Sequence, residues 1–271
     1  MTAVKPVRAK PLAACVAALT LALAAGCSST PKDETAGMSA EKLYAEARQE
    51  AAAGNHERAI RFLERLEGRA AGTMLAQQAQ LDLAYAYHRS GERAQALATL
   101  DRFIRLHPAS PAIDYALYLR GVVNFNDNLG LFGKVSRQNL SERDQQASKD
   151  AYQSFRQLVE QYPNSRYAED ARLRMSYIVN ALAEYEVHVA RYYFSRGAYL
   201  ASVNRAQQAV QEYQRSPATE EALYLMVQGY ERLGMPQLRD DAQRVLKTNF
   251  PDSRFLREGL RRPDAPWWQL W

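Results

Sequence analysis

Residues 79–110 read AQLDLAYAYHRSGERAQALATLDRFIRLHPAS, and this stretch decides the fold. Apolar and small side chains recur at helical spacing up to Gly91, resume after it, and stop at Pro108. That is two amphipathic helices joined by a tight turn. Ala84 stands seven residues before the glycine and Ala96 five after it, so two helices can approach closely while Gly91 supplies the left-handed residue that ends the first. The product is a helical hairpin.

The same offsets recur around Gly54, Gly197 and Gly234. Ala47, Ala190 and Val227 hold the earlier position, and Ala59, Ser202 and Arg239 the later one. Gly54 to Gly91 and Gly197 to Gly234 are both 37 residues apart, close to the 34-residue tetratricopeptide period with a longer connection. LHPAS, QYPNS and NFPDS each place His or an aromatic before proline and a serine two later, ending one helix and capping the next. The expectation is an all-α fold, a right-handed superhelical solenoid of about five tetratricopeptide hairpins over residues 40–256.

Two places break the period. Gly121 takes the small position of the third repeat, but Ala151 follows it by 30 residues where 12 is expected, which implies an 18-residue insertion over about 126–146. Its Gly, Asn and scattered Leu suit a long loop. Pro163 to Gly197 is 34 where 17 is expected, so the fourth repeat should open with an elongated helix from about Tyr167 to Ser195 that projects beyond its neighbours. Tyr87, Tyr193, Tyr230, Leu63, Leu100 and Phe155 fall where knobs fill the stack.

Composition agrees. Only 24 of 271 residues are Gly or Pro, and helix formers dominate, which excludes collagen, a disordered chain and a disulfide miniprotein and makes a sheet-based fold improbable. Lys5, Arg8 and Lys10 precede fourteen apolar or small residues, Leu12 to Ala25, which form a secretory signal. Fourteen is short of the roughly 20 needed to cross a bilayer. Cleavage before Cys27 removes three positive charges and lowers the formal net charge from +5 to +2. The electrostatic footprint for nucleic acid is therefore missing. Cys15 leaves with the signal, so no internal disulfide or cysteine metal site can form. Residues 28–39, SSTPKDETAGMS, have little to bury and read as a flexible tether.

No Walker loop, HExxH or nucleophile elbow occurs. Glu184 and His188 form an i, i+4 pair of the kind that decorates helix surfaces. An enzyme has no foothold; a solenoid's default occupation is binding along its curved face. All three Trp lie in residues 267–271, as a cap folded over the last hairpin or as a partner anchor.

LAAGC, residues 23–27, resembles the lipobox of bacterial lipoproteins, with Ala24 in place of the commoner leucine. The resemblance implies a diacylglycerol and an N-acyl chain on Cys27, no other cofactor, and, with Ser28 rather than Asp next, transfer to the outer membrane. The runs of residues 79–121 and LAEYEVHVARYYFSRGAYLASVNRAQ, 182–207, resemble the BamD (ComL/YfiO) family of the β-barrel assembly machinery. That likeness spans nearly all of 40–253. It implies a non-enzymatic scaffold, lipid-anchored on the inner leaflet of the outer membrane and facing the periplasm. Its partners would be a POTRA domain of BamA, the other lipoproteins of the complex, and unfolded outer-membrane β-barrel proteins. By matching text the partner-facing candidates are Arg196, Tyr199, Asn204 and Arg205, with Arg143 and Asp144 in the insertion. Arg205 is expected to serve contact rather than structure, and its reversal to leave the fold intact. Members commonly carry an aromatic–proline loop after the first repeat. This chain has Arg69 followed by Ala70, which would either deprive that loop of its substrate-binding role or shift its contacts to Met74 and Leu75. Another periplasmic repeat lipoprotein, coordinating peptidoglycan synthesis, is the second reading.

Overall fold

The computed structural model describes residues 34–125 and 145–260. Among these, every regular element is a helix. They pair as α1 (Ala40–Ala52) with α2 (His56–Arg69), α3 (Met74–Arg89) with α4 (Arg93–Leu106), α5 (Ile113–Asn124) with α6 (Gln145–Gln161), α7 (Ala168–Ser195) with α8 (Tyr199–Glu212), and α9 (Ala218–Arg232) with α10 (Pro236–Asn249). A short α11 (Arg254–Glu258) closes the series. From α1 to α10 each helix packs on its sequence neighbours, α1 also meets α3, α3 meets α5, α7 meets α9, and α11 meets α9. The chain is a tetratricopeptide solenoid of five hairpins whose first helices share one layer.

The turn within four of the hairpins is one structure repeated. Gly54, Gly91, Gly197 and Gly234 lie at φ +81, +84, +77 and +70°. The residue after each donates its N–H to the carbonyl five back: Asn55 to Glu50 at 2.9 Å, Glu92 to Tyr87 at 2.8 Å, Ala198 to Tyr193 and Met235 to Tyr230 at 3.0 Å. This is the Schellman closure, and it satisfies carbonyls the helix leaves open. A side chain on any of the four glycines would meet nothing within 4 Å. Gly91→Ala therefore costs backbone strain alone, about 1 kcal/mol, read as a small fall in the urea midpoint with an unchanged slope.

The turn between hairpins repeats as well. Ser110, Ser165, Ser216 and Ser253 donate their N–H to the carbonyls of His107, Tyr162, Tyr213 and Phe250, all at 2.9–3.0 Å. The first three hydroxyls accept from the N–H two residues on, closing a turn ahead of the helix, but the capping positions fall to Ala112, Tyr167 and Pro217, so the expected serine cap is displaced. The Ser253 Oγ is buried without a partner. Two copies of this turn escape the LHPAS pattern. In the segment around Ser216 the proline follows the serine, and in GRAAGT Thr73 does the serine's work, donating its N–H to Ala70 at 3.0 Å. Ala70 is thus the first repeat's counterpart of His107, Tyr162, Tyr213 and Phe250.

Small residues set the helix spacing. Ala47, Ala59, Ala84, Ala96, Ala190 and Ser202 are at most 1 % exposed. Gly121 lies against the ring of Phe155, itself fully buried. Arg239 breaks the pattern, and the reason is its position at the end of the stack, where it pairs with Glu231 and Asp240 instead of facing another helix.

Three boundaries move, and one expected shape changes. Residues 34–39 are docked: Thr35 is buried, Glu34 pairs with Arg58 at 3.0 Å, and Arg69 donates to the Met38 carbonyl at 2.6 Å. The tether therefore cannot include them. Gln145 and Gln146, assigned to the insertion, begin α6. At the other end the fold runs past residue 256, because Phe255 is buried and Leu260 packs on the core of α7, α8 and α9. Finally, the 28-residue α7 has the expected length but does not project. Its first half packs on α6, its second on α8 and α9, and Ala171, Ile178, Ala183 and Ala190 along it are all at 0 % exposure. Aromatics fill the space between α5 and α7: Tyr118 stacks on Tyr167 at 4.7 Å and donates its hydroxyl to Asp170 at 2.8 Å, and Phe125 meets Tyr177 edge-on at 5.7 Å.

Candidate docking surfaces

The Schellman turn at Gly197 throws a cluster of side chains into solvent at the junction of α7 and α8. The Arg196 guanidinium lies over the Tyr192 ring, 5.4 Å from its centroid. Tyr199 meets Phe194 edge-on at 5.3 Å and receives Arg232 on its face at 6.0 Å. Tyr192 is 53 % and Leu200 58 % exposed, and Asn204 is exposed one turn beyond Leu200. Aromatic rings pre-stacked on arginines, with a bare leucine beside them, have the chemistry of an interface anchor. Of the expected residues, Arg196, Tyr199 and Asn204 belong to this surface. Tyr192, Leu200 and Arg232 also do, although the sequence reading passed them over. Leu200 was detectable, since the other hairpins place Glu57, Ala94 and Gln237 at its offset from the turn glycine.

Arg205 behaves differently. Its Nη1 bonds the Glu186 Oε2 at 3.1 Å, and Glu186, on α7, is only 3 % exposed. The guanidinium neutralises a carboxylate enclosed between α7 and α8, so Arg205 is a structural partner with an outward edge. Its reversal would set two carboxylates together at this junction, which argues against the expectation of an intact fold. Cys27, Arg143, Asp144 and the tryptophans lie outside the described residues.

A second surface is an open cleft of about 510 Å³ across the first helices of the second to fourth hairpins. Asp82 and Gln78 of α3, Asp114 and Tyr115 of α5, and Arg166 and Tyr167 before α7 line it. Tyr44 donates to Asp82 at 2.8 Å and Gln78 to its other oxygen at 3.1 Å. Burial holds the Asp82 carboxyl above the ordinary range despite these donors, and burial with the neighbouring Asp82 carries the Tyr44 phenol up to about 12. Burial also takes Tyr115 up to about 12. Arg166 stacks on Tyr167, 4.7 Å from its centroid. The cleft offers phenol hydroxyls, ring faces and both signs of charge, which suits a polypeptide strand more than a small metabolite.

At the foot of α3, Met74 is 65 % exposed while Leu75 is half-buried against the core, so only the first is available for contact. Glu184 and His188 are both exposed on a smaller cleft of about 410 Å³ beside the Arg191–Glu221 ion pair. Among the described residues no three His, Cys, Asp or Glu converge as metal ligands, and no helix is long and apolar enough to cross a membrane.

Comparison with known proteins places these surfaces in context. A family model described as YfiO, outer membrane lipoprotein, matches residues 36–246. The chain is 48 % identical over 237 residues to the outer membrane protein assembly factor BamD of Neisseria meningitidis serogroup B, covering 88 % of this chain and 89 % of that one. It is 37 % identical to the BamD of Xylella fastidiosa, covering 91 and 84 %, and 34 % identical to that of Vibrio cholerae, covering 85 and 95 %.

Proposed function

We propose, from the premise that this chain belongs to the YfiO family of outer membrane lipoproteins, that it is a non-enzymatic scaffold of the β-barrel assembly machinery. Acyl chains on Cys27 hold it at the periplasmic face of the outer membrane. Each buried methylene adds ~0.8 kcal/mol, so three chains anchor it permanently. The last two hairpins dock a POTRA domain of BamA and the sister lipoproteins, while the cleft of the earlier hairpins receives extended segments of unfolded barrel proteins.

The observation that carries this reading is the Arg196–Tyr192 and Tyr199–Arg232 cluster flanked by Leu200. Solvent-exposed apolar and cationic groups are here held in fixed geometry by one turn, which lowers the entropy a partner's binding must overcome. The length of chain shared with the BamD proteins supports the same assignment.

Leu200→Glu tests it. The position is exposed, so helix content by circular dichroism stays at the parent value, while a carboxylate placed in an apolar anchor weakens recovery of BamA about tenfold or more in pull-downs from solubilised membranes. Undiminished recovery removes this surface from the interface. Recovery of peptidoglycan enzymes without BamA by the parent protein replaces the whole reading with the second one.

A further inference from the structure

The second helix of a hairpin turns outward the residues one, four and eleven after its turn glycine. Earlier hairpins fill these with Asn55, Arg58 and Arg65, with Glu92, Gln95 and Arg102, and with Ala198, Ala201 and Gln208. In the last hairpin they are Met235, which caps α10, and Leu238 and Val245 within it, which are 40, 46 and 41 % exposed. The spacing sets all three on one side of the helix.

The reverse exchange occurs at offsets five, six and nine, where earlier hairpins meet the next first helix. Ala59, Ile60 and Leu63, or Ala96, Leu97 and Leu100, give way to Arg239, Asp240 and Gln243. The end of the stack is polar, as a terminal repeat requires. Its apolar surface has moved to the side. α11 does not cover that side, because it ends after five residues at Gly259 (φ +71°) and packs on α9, with Phe255 stacked on Tyr224 at 5.7 Å.

We propose that residues 261–271, RRPDAPWWQLW, fold back along α10 and lay tryptophan rings over Met235, Leu238 and Val245. Composition and reach both select this occupant. The segment leaves the core at Leu260 and spans up to about 36–40 Å when extended, against about 21 Å for the whole of α10. Pro263 and Pro266 favour an extended path. Trp267, Trp268, Leu270 and Trp271 supply flat apolar area matched to a stripe one helix wide. A second copy is a poor alternative: a stable dimer buries about 800 Å² per partner, and three side chains bounded by charge cannot offer that.

The chain has no other tryptophan, so intrinsic emission reads this segment alone. The experiment uses the complete mature chain with Cys27→Ser, together with a free peptide of residues 261–271. Docking gives emission at shorter wavelength than the peptide and several-fold weaker quenching by acrylamide, both unchanged on dilution. Leu238→Glu and Val245→Glu, which retain helical circular dichroism at these exposed sites, return both signals to the peptide's values; Leu238→Ala and Val245→Ala serve if either glutamate disturbs folding. Peptide-like emission in the parent overturns the proposal. So does a blue shift lost on dilution, which indicates a second copy, or one indifferent to every substitution on α10.

Discussion

Gly121→Ala should lower the free energy of unfolding by about 2 kcal/mol, although alanine is worth about 1 kcal/mol more than glycine inside a helix. A Cβ at this position would lie 2.4, 2.6 and 2.7 Å from three ring atoms of Phe155. The ring has nowhere to go: Phe155 is fully buried, with Tyr118 and Phe125 packed at centroid distances of 6.1 and 6.3 Å. Either α5 and α6 separate or the aromatic set between α5 and α7 is displaced. Urea unfolding of Gly121→Ala, Phe155→Leu and the double variant isolates the clash, because the smaller side chain in the double variant should recover part of the loss. Parent-like stability of Gly121→Ala would mean the two helices are not in van der Waals contact there. Gly229 is under a similar constraint: its added methyl would lie 2.4 Å from Val203 Cγ2, and a buried β-branched side chain within a helix has little rotamer freedom to withdraw.

Arg205→Glu should cost about 2–3 kcal/mol, less than a fully enclosed pair because the arginine keeps an outward edge. The substitution sets a second carboxylate against the buried Glu186 and removes its only ion-pair partner among the described residues, so the junction of α7 and α8 loosens. Adding Glu186→Gln removes the repulsion, and the double variant should regain much of the thermal stability. Failure of that rescue would show that Arg205 contributes packing rather than charge. In assays of the proposed BamA docking, lost recovery by Arg205→Glu would report a damaged hairpin, whereas lost recovery by Leu200→Glu would report the surface.

The fold was legible because a repeat protein writes the same instruction several times. Four glycines at fixed offsets from small residues identify four hairpins, and the same glycines appear in the structure at positive φ. The fifth was found through Gly121 and Ala151. What sequence spacing could not convey was where each surplus residue goes. The extra turns of α7 are apolar on the side facing α6, and periodicity alone cannot distinguish a helix end in solvent from one under a neighbour. Thr73 and Ser216 went unrecognised because the turn depends on a hydrogen-bonded backbone path, which tolerates a displaced or missing proline. At the docking surface, family text led to Arg196, Tyr199 and Asn204, but it also led to Arg205, since matching letters cannot tell an exposed cation from one committed to a partner on another helix. Comparing hairpins with one another is more informative: Leu200, Met235, Leu238 and Val245 each differ from their counterparts at the same offset.

The long α7 carries a mechanical implication. Its 28 residues extend about 42 Å, with the early hairpins fastened to one half and the late hairpins to the other. A splint of this kind leaves no joint at mid-chain, because bending there would sever the helix's own ladder of bonds. Torque applied to the late hairpins must swing the early ones through the same angle, which makes the molecule a rigid bracket.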